Sequence, residues 1–180
     1  MEPHHVDEIL IQETELDCRV SELASEIGRD LQGHTLVLVG ILRGSFMFLA
    51  DLVRSFHRHG IRTRIDFMIL ESYGSGTESS GSVRLARDCA IDVAGQDVLV
   101  IDDILDSGRT LSFAVRHLQE QGAARVRTCV LLDKPSRRVV PFEADYVGFR
   151  VPDAFVVGYG LDYDHYSRDL PWIAQVSFFS

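Results

Sequence analysis

The chain has 180 residues, and its 18 lysines and arginines against 27 aspartates and glutamates leave a formal net charge of −9. Hydrophobic residues make up 46% and charged residues 25%, which is the composition of an ordinary folded domain and excludes disordered and fibrous proteins. The acidic balance argues against proteins that coat nucleic acid or bind anionic membranes, since both need an excess of cations. We therefore expect one domain that buries its core without disulfides or a structural metal.

The cysteines and the N-terminus bear on the cellular compartment. Cys18, Cys89 and Cys129 are odd in number and far apart, so they predict neither a disulfide framework nor a zinc site, and they suit a reducing compartment. Residues 1–8 are polar and acidic, unlike a secretory signal, and the apolar run from Leu36 to Leu42 is too short to span a bilayer. We expect a cytoplasmic protein that binds neither nucleic acid nor membranes.

Apolar periodicity predicts alternating helices and strands. Steps of three and four between apolar residues predict an amphipathic helix from Thr14 to Leu31, stopped by Gly33. A continuous apolar run predicts a buried strand from Thr35 to Leu42. The further elements expected, in chain order, are a helix over Ser45–His59, strands over Arg62–Glu71 and Asp97–Asp103, a helix over Ser107–Gln121, and strands over Arg125–Leu132, Tyr146–Arg150 and Phe155–Tyr159. This order favours a doubly wound α/β domain with a mostly parallel sheet, in which ligands bind at the carboxyl ends of the strands.

The stretch from Val98 to Leu111 carries the clearest chemistry. An apolar strand ends in two adjacent carboxylates, Asp102 and Asp103, and a third, Asp106, precedes the sequence Ser-Gly-Arg-Thr at residues 107–110, which opens a helix. The free N–H groups of a helix N-terminus bind anions, and a glycine there lets a phosphate approach the backbone. Two carboxylates would repel that phosphate unless Mg²⁺ or sugar hydroxyls lie between them. Helix capping explains one aspartate but not three, so the pattern predicts a ribose phosphate site.

Two other phosphate-binding sequences do not occur in the chain. A Walker loop needs G-x-x-x-x-G-K-[ST], and a dinucleotide site needs G-x-G-x-x-G directly after the first strand. The nearest string, Gly158-Tyr159-Gly160, is a G-x-G without the third glycine.

Residues 100–111 resemble the phosphoribosyl pyrophosphate (PRPP) motif of the type I phosphoribosyltransferases. Residues 42–45, 72–74, 131–135 and 156–163 extend the resemblance to the bacterial hypoxanthine and hypoxanthine-guanine phosphoribosyltransferases, and the similarity runs in the family's order from about Thr35 to Pro171. It implies the type I fold, an α/β domain whose mostly parallel central sheet is flanked by helices, with a small hood built from the terminal segments. It also implies a single domain over residues 1–180 with a flexible active-site loop at about 71–82.

The resemblance implies an enzyme of purine salvage that converts hypoxanthine, and guanine, with PRPP into IMP or GMP and pyrophosphate. Asp106 would act as general acid/base at the purine N7. The metal ligands that it implies for Mg²⁺ are Asp102, Asp103 and Asp162, and the first two would also engage the ribose hydroxyls. The remaining substrate contacts that it implies are Arg43, Gly44, Ser72, Tyr73, Ser107, Gly108, Arg109, Thr110, Lys134, Phe155, Val156 and Arg168.

Several of these positions have distinct implied roles at the substrates. Lys134 would donate to the purine O6, Phe155 would stack on the base beside the backbone of Val156, and Arg168 would contact pyrophosphate. Taken singly, Lys134 reads as a surface lysine, Phe155 as a core residue and Arg168 as an exposed charge. Their joint order along the chain, rather than any one of them, supports the assignment.

Two segments and two substitutions complete what the resemblance implies. A cis peptide at Leu42–Arg43 would aim backbone N–H groups at pyrophosphate, and residues 72 and 73 would cover the reacting centre and exclude water. Position 43 is usually Lys in the family and is Arg here, which keeps the charge and adds donors. Position 102 is often Glu in the bacterial relatives, so the contacts of Asp102 to Mg²⁺ would differ.

The expected partners are the small-molecule substrates and a second copy of the chain, in a homodimer or homotetramer.

Alternative functions follow from the same residues. A transferase that prefers xanthine or guanine would use the same chemistry with different contacts at the purine 2-position. A PRPP-fold regulator that binds RNA would need a basic face, whereas Arg137-Arg138 is the only cationic cluster in the sequence.

Overall fold

A mixed six-stranded sheet forms the centre of the computed structural model, which describes residues 4–31, 35–73 and 82–178. The strands are β1 (His4–Ile11), β2 (Leu36–Leu42), β3 (Thr63–Tyr73), β4 (Ser82–Arg87), β5 (Asp97–Leu105), β6 (Arg125–Asp133), β7 (Tyr146–Arg150), β8 (Val156–Val157) and β9 (Ile173–Phe178). The helices are α1 (Glu13–Asp30), α2 (Phe46–Arg58) and α3 (Arg109–Glu120), and a 3₁₀ turn spans Pro135–Arg137.

The order of the strands creates a switch point in the central sheet. The sheet runs β4-β3-β2-β5-β6-β7, and every pairing in it is parallel except that of β3 with β4. After β2 the chain first adds β3 on one side and later β5 on the other, so the connections diverge between β2 and β5. Open α/β sheets bind ligands at the carboxyl ends of the strands at such a point. The predicted doubly wound class is confirmed.

Helices cover both faces of the sheet, and the alternation along β2 divides the core between them. Leu36 and Leu38 pack in the cluster that includes α1 and α2. Val37 and Val39 pack in the second cluster, with Leu111 and other residues of α3. Because both faces of β2 are buried, its sequence is a continuous apolar run rather than an alternating one.

The terminal segments build a second, smaller sheet. In it β9 pairs antiparallel with both β1 and β8, and the register places His4 opposite Phe178. This sheet agrees with the hood that the family resemblance implies. The sequence pattern alone predicts neither β1 nor β9. Strand β1 has no regular alternation, and β9 alternates only over Ala174–Phe178, a stretch too short to identify a strand whose partner lies at the far end of the chain.

Most predicted elements lie within two residues of the observed bounds. Strand β5 extends to Leu105, so Asp102 and Asp103 lie within the strand rather than at its end. The predicted strand at 155–159 shortens to the two residues of β8, and β4 is an additional antiparallel strand beside β3. The proposed helix stop at Gly33 and residues 74–81 of the predicted loop lie outside the described residues. No helix in the described ranges is long and apolar enough to cross a bilayer.

Candidate active site

An open cleft lies where β2 and β5 end, at the switch point of the sheet. It has a volume of about 860 Å³ and is lined by residues 41–44, 102–111 and 136–139. The parallel register of β2 with β5 brings the turn at Arg43 beside the acidic end of β5. The sheet therefore assembles three sequence-distant segments at one edge, as the sequence analysis predicts for this end of the strands.

Two adjacent carboxylates form the acidic wall of the cleft. Asp102 is buried and accepts a hydrogen bond of 3.0 Å from the backbone N–H of Asp103, and Asp103 accepts one of 2.8 Å from the N–H of Ile104. Burial, and then the neighbouring charge of Asp103, raise the pKa of Asp102 well above its ordinary value. Burial likewise raises the pKa of Asp103. A pair held in this way favours a cation or hydroxyl donors opposite it.

The backbone at the start of α3 makes an anion cradle. Gly108 has a left-handed φ of 85° and directly precedes the helix, and the hydroxyl of Ser107 accepts a 3.4 Å hydrogen bond from the N–H of Arg109. Within the described residues, the N–H groups of Ser107 and Gly108 donate to no protein acceptor. They and the first turn of α3, which includes Thr110, are therefore available to phosphate oxygens.

Asp106 lies on the same turn and carries an unusual carboxylate. Its Oδ1 is inaccessible to solvent and has no hydrogen-bond partner among the described residues. The Nε of Arg137 lies 3.4 Å from this oxygen, which is an ion-pair distance, and the same Nε lies 3.7 Å from Oδ1 of Asp153. The Asp106 side chain as a whole is nevertheless 43% exposed, so a ligand in the cleft can reach the rest of this carboxylate and transfer a proton to it.

A buried lysine, Lys134, lies beside residues 154–156, the segment that contains the implied purine contacts Phe155 and Val156. Lys134 follows β6, and its Nζ donates a 2.6 Å hydrogen bond to the carbonyl of Ala154. Burial lowers the pKa of Lys134 from its ordinary value. The next side chain, Phe155, is 43% exposed and contacts Tyr163 and Phe178 edge to face, whereas Val156 is buried. Lys134 is therefore not an exposed surface lysine. Its ammonium has three N–H donors and gives one to Ala154, so the others are available to a ligand.

A second cavity, of about 420 Å³, adjoins the cleft and shares Leu42, Arg43, Gly44 and Asp103 with it. Its other wall carries Asp162 and Arg168, which form an ion pair of 2.7 Å between Oδ1 and Nη2. Arg168 also donates a 2.6 Å hydrogen bond to the carbonyl of Gly160, which orients its guanidinium.

The peptide between Leu42 and Arg43 is cis, as the family resemblance implies. The turn that follows is packed so closely that a Cβ on Gly44 would lie 1.5 Å from Oδ2 of Asp103. A Cβ on Gly160, whose φ is 100°, would lie 2.3 Å from the carbonyl oxygen of Gly44. Only glycine leaves room at these two positions, so the Arg43 turn, the acidic pair and the Asp162 segment are fitted against one another.

The structure thus brings most of the predicted site residues to one edge of the sheet, in two adjoining cavities. Ser72 and Tyr73 end β3, and the loop expected to close over the centre continues into residues outside the described part of the chain. Arg138 also lines the cleft and contacts the Asp106 turn. In the sequence it is visible only as part of the cationic pair Arg137-Arg138. Its sequence signal is weak because a pair of arginines after a strand is usually solvated.

Comparison with known proteins supports the resemblance. Residues 5–164 match the phosphoribosyl transferase domain family. The hypoxanthine-guanine phosphoribosyltransferase of Aquifex aeolicus is 45% identical over 169 residues, which cover 93% of each chain. The hypoxanthine phosphoribosyltransferase of Escherichia coli K12 is 44% identical over 174 residues, which cover 96% of each.

Solved structures agree with these relatives. A hypoxanthine phosphoribosyltransferase from Staphylococcus aureus superposes with a TM-score of 0.90 at 42% identity, covering 96% of this chain and 92% of that one. A Trypanosoma cruzi hypoxanthine phosphoribosyltransferase, in a ternary complex with substrates, gives a TM-score of 0.89 at 41% identity over 96% of each chain.

Proposed function

This chain belongs to the phosphoribosyl transferase family, and on that premise we propose that it is a hypoxanthine phosphoribosyltransferase acting in purine salvage. The whole chain, residues 1–180, acts as one domain that joins hypoxanthine to PRPP to give IMP and pyrophosphate, with guanine giving GMP by the same route. The observation that carries this proposal is the placement of the acidic pair and the anion cradle around one cleft at the switch point of the sheet. Lys134 lies next to that cleft, since its backbone N–H donates a 3.0 Å hydrogen bond to the carbonyl of Leu105.

The reaction exchanges one bond at C1′ of the ribose for another. The bond from C1′ to the pyrophosphate oxygen breaks, the bond from C1′ to N9 of the purine forms, and the purine loses its imidazole-ring proton. Negative charge builds on the departing pyrophosphate, so cationic groups and N–H donors must face it. The backbone after the cis peptide, the side chain of Arg43 and the guanidinium of Arg168 border the second cavity and suit that task.

The ribose 5′-phosphate fits the cradle at the start of α3. Gly108 removes side-chain bulk, and the hydroxyls of Ser107 and Thr110 add donors to the free N–H groups. The backbone N–H of Arg109 donates to the Ser107 hydroxyl and orients it in the cradle. Asp102 and Asp103 lie on β5, the strand that leads into the cradle, and accept hydrogen bonds from the ribose hydroxyls. The arrangement holds the phosphate and the sugar on one rigid corner, so that C1′ is presented in a constant position.

The purine fits between Lys134 and the segment formed by Phe155 and Val156. Lys134 donates to the O6 atom of a 6-oxopurine, which adenine lacks, while Phe155 offers a partly exposed ring for stacking beside the backbone of Val156. Asp106 accepts the departing proton at N7. Its position in the cleft and the 43% exposure of its side chain support this role, because a purine can reach the carboxylate directly.

Magnesium fits the acidic wall as an ion shared with substrate. Among the described residues, no three acidic, histidine or cysteine side chains converge into a metal-binding group. Asp102 and Asp103 would supply oxygen ligands of the kind that Mg²⁺ takes together with phosphate oxygens and water. Asp162, beside its partner Arg168, would add an oxygen from across the adjoining cavity. When bound, the ion neutralises charge on the leaving pyrophosphate.

The proposal extends to assembly and location. Ile65 and Phe67 lie on one face of β3 and are 41% and 39% exposed, and such apolar exposure supports a homodimer or homotetramer. Light scattering after size exclusion measures the assembly, and a monomeric mass at micromolar concentration would contradict the proposed oligomer.

The cysteines bear on the location of the protein. Cys18, Cys89 and Cys129 are all free, which supports a reducing, cytoplasmic location.

A base panel tests the function directly. The purified protein is incubated with PRPP, Mg²⁺ and, separately, hypoxanthine, guanine, xanthine, adenine or uracil, and nucleotide formation is followed by chromatography. We expect IMP and GMP, and no product after Mg²⁺ is chelated. Faster turnover of xanthine than of hypoxanthine would favour the xanthine/guanine alternative, and nucleotide binding without turnover on any base would favour the regulator.

A further inference from the structure

Arg138 is a largely enclosed arginine that is not among the proposed substrate contacts, and it lies behind the turn that carries Asp106. Its guanidinium donates hydrogen bonds to the carbonyl oxygen of Leu105, at 3.1 Å, and to that of Asp106, and it pairs with the carboxylate of Asp133. The side chains of Arg138 and Asp133 are 16% and 9% exposed. A guanidinium that is enclosed in this way and makes charge-assisted hydrogen bonds to three acceptors has one low-energy arrangement. It therefore holds the carbonyls of Leu105 and Asp106 in place.

The residues that follow Arg138 extend the same contact along the turn. The N–H groups of Val139 and Val140 both donate to the carbonyl oxygen of Ser107, at 3.0 Å each. Gly108 packs so closely that a Cβ there would lie 2.9 Å from the carbonyl oxygen of Val140 and 3.2 Å from Cδ of Arg138. Three consecutive carbonyls, those of residues 105–107, are therefore held from one side.

The direction of these carbonyls decides where the opposite ends of the peptide groups point. In a planar trans peptide the C=O and the next residue's N–H point in opposite directions. Because the carbonyls of residues 106 and 107 face Arg138 and its neighbours, the N–H groups of Ser107 and Gly108 face away from them. Those N–H groups donate to no acceptor in the described part of the chain, and they belong to the proposed 5′-phosphate cradle.

We propose that Arg138 is a positioning residue for the phosphate cradle: its guanidinium orients the N–H donor of Ser107 through the carbonyl of Asp106, and it anchors the segment whose N–H groups, at Val139 and Val140, orient the donor of Gly108 through the carbonyl of Ser107. The inference rests on the proposed function, since it names the group that aligns a site for ribose 5-phosphate. Asp106 shares the turn, so its carboxylate is aligned by the same contacts. A misplacement of about 1 Å in such a site costs on the order of 10²-fold in rate.

The test compares two arginines that make similar bonds in different places. Arg138→Met removes the guanidinium behind the cradle, and Arg138→Lys keeps the charge opposite Asp133 but cannot reach all three acceptors at once. Arg19→Met is the matched control, because Arg19 also donates to two backbone carbonyls, those of Val147 (2.8 Å) and Gly148 (3.0 Å), but ties α1 to β7 away from the cleft.

The readout is the ratio of the affinities for IMP and inosine, which differ only in the 5′-phosphate. We expect Arg138→Met to weaken the binding of IMP by about 10- to 100-fold, the contribution of one hydrogen bond to a charged group, and to raise the KM for PRPP by a similar factor. The affinity for inosine should be almost unchanged. Arg138→Lys is expected to give a smaller loss of the same kind and Arg19→Met an unchanged ratio.

Each outcome decides for or against the proposal. Equal losses of IMP and inosine affinity in Arg138→Met would mean a general structural role and overturn the proposal, as would a wild-type ratio in a folded Arg138→Lys. If Arg138→Met does not fold, Arg138→Lys carries the test alone. Failure of the wild type to convert hypoxanthine would refute the proposed function separately, because the binding ratio is measured without turnover.

Discussion

Replacing Asp106 by asparagine should separate proton transfer from every other property of the site. Asparagine has the same shape as aspartate but cannot accept a proton at neutral pH. Oδ1 of Asp106 has no hydrogen-bond partner among the described residues, and the one ionic contact that we assign to it, with Nε of Arg137 at 3.4 Å, joins side chains that are 43% and 50% exposed. The substitution therefore removes a base while disturbing little packing.

The expected magnitudes differ enough to distinguish the two effects. General acid/base catalysis contributes about 10²- to 10⁴-fold to a rate, so kcat should fall by that factor, equivalent to about 3–5 kcal/mol in the barrier. The half-exposed ion pair contributes at most about 1 kcal/mol to the free energy of unfolding. PRPP affinity should change little, because the cradle at residues 107–110 keeps its backbone donors.

Steady-state kinetics with hypoxanthine and PRPP, together with urea denaturation, measure both quantities. Asp153→Asn is the matched control: it makes the same chemical change in the other carboxylate beside Arg137, at 3.7 Å, and should alter kcat by less than about tenfold. A kcat for Asp106→Asn no lower than that of Asp153→Asn would refute the assignment of Asp106 to proton transfer.

Three further predictions follow from the same contacts. Lys134→Met should raise the KM for hypoxanthine about 10- to 100-fold with the KM for PRPP unchanged, because a charged donor contributes about 1.5–3 kcal/mol; steady-state kinetics showing the reverse pattern would contradict the contact to O6. Gly44→Ala should lower kcat/KM for PRPP by about 10²-fold, since its Cβ would lie 1.5 Å from Oδ2 of Asp103 and displace that carboxylate; a kcat/KM like that of the wild type would show that the turn can adjust. Chelation of Mg²⁺ should abolish turnover but leave the Tm unchanged in a thermal scan, because we assign the ion to Asp102, Asp103 and the substrate rather than to the fold; a lower Tm would indicate a structural metal.

Local sequence patterns account for much of the fold and for the centre of the site. The apolar run of β2 is visible because both of its faces are buried, and the acidic pair, Asp106 and the cradle fall within one strand-to-helix corner, residues 102–110. The roles of Lys134 and Arg168 could be inferred only from the order of motifs, since neither residue type by itself distinguishes a site from a surface. Strand β4 and the bounds of β8 could not be read in this way, because short strands depend on the neighbours they pair with.

The α/β class and the acidic corner that follows β5 can be predicted from short stretches of sequence, because burial, helix periodicity and a corner motif each involve adjacent residues. Which distant segments meet depends on the tertiary structure. It places His4 opposite Phe178 in the small sheet, brings the Arg168–Asp162 pair beside the Arg43 turn, and sets Arg138 behind Leu105. Such contacts join residues far apart in the chain, so they follow from the order of the strands and the packing of the helices, which no local pattern encodes.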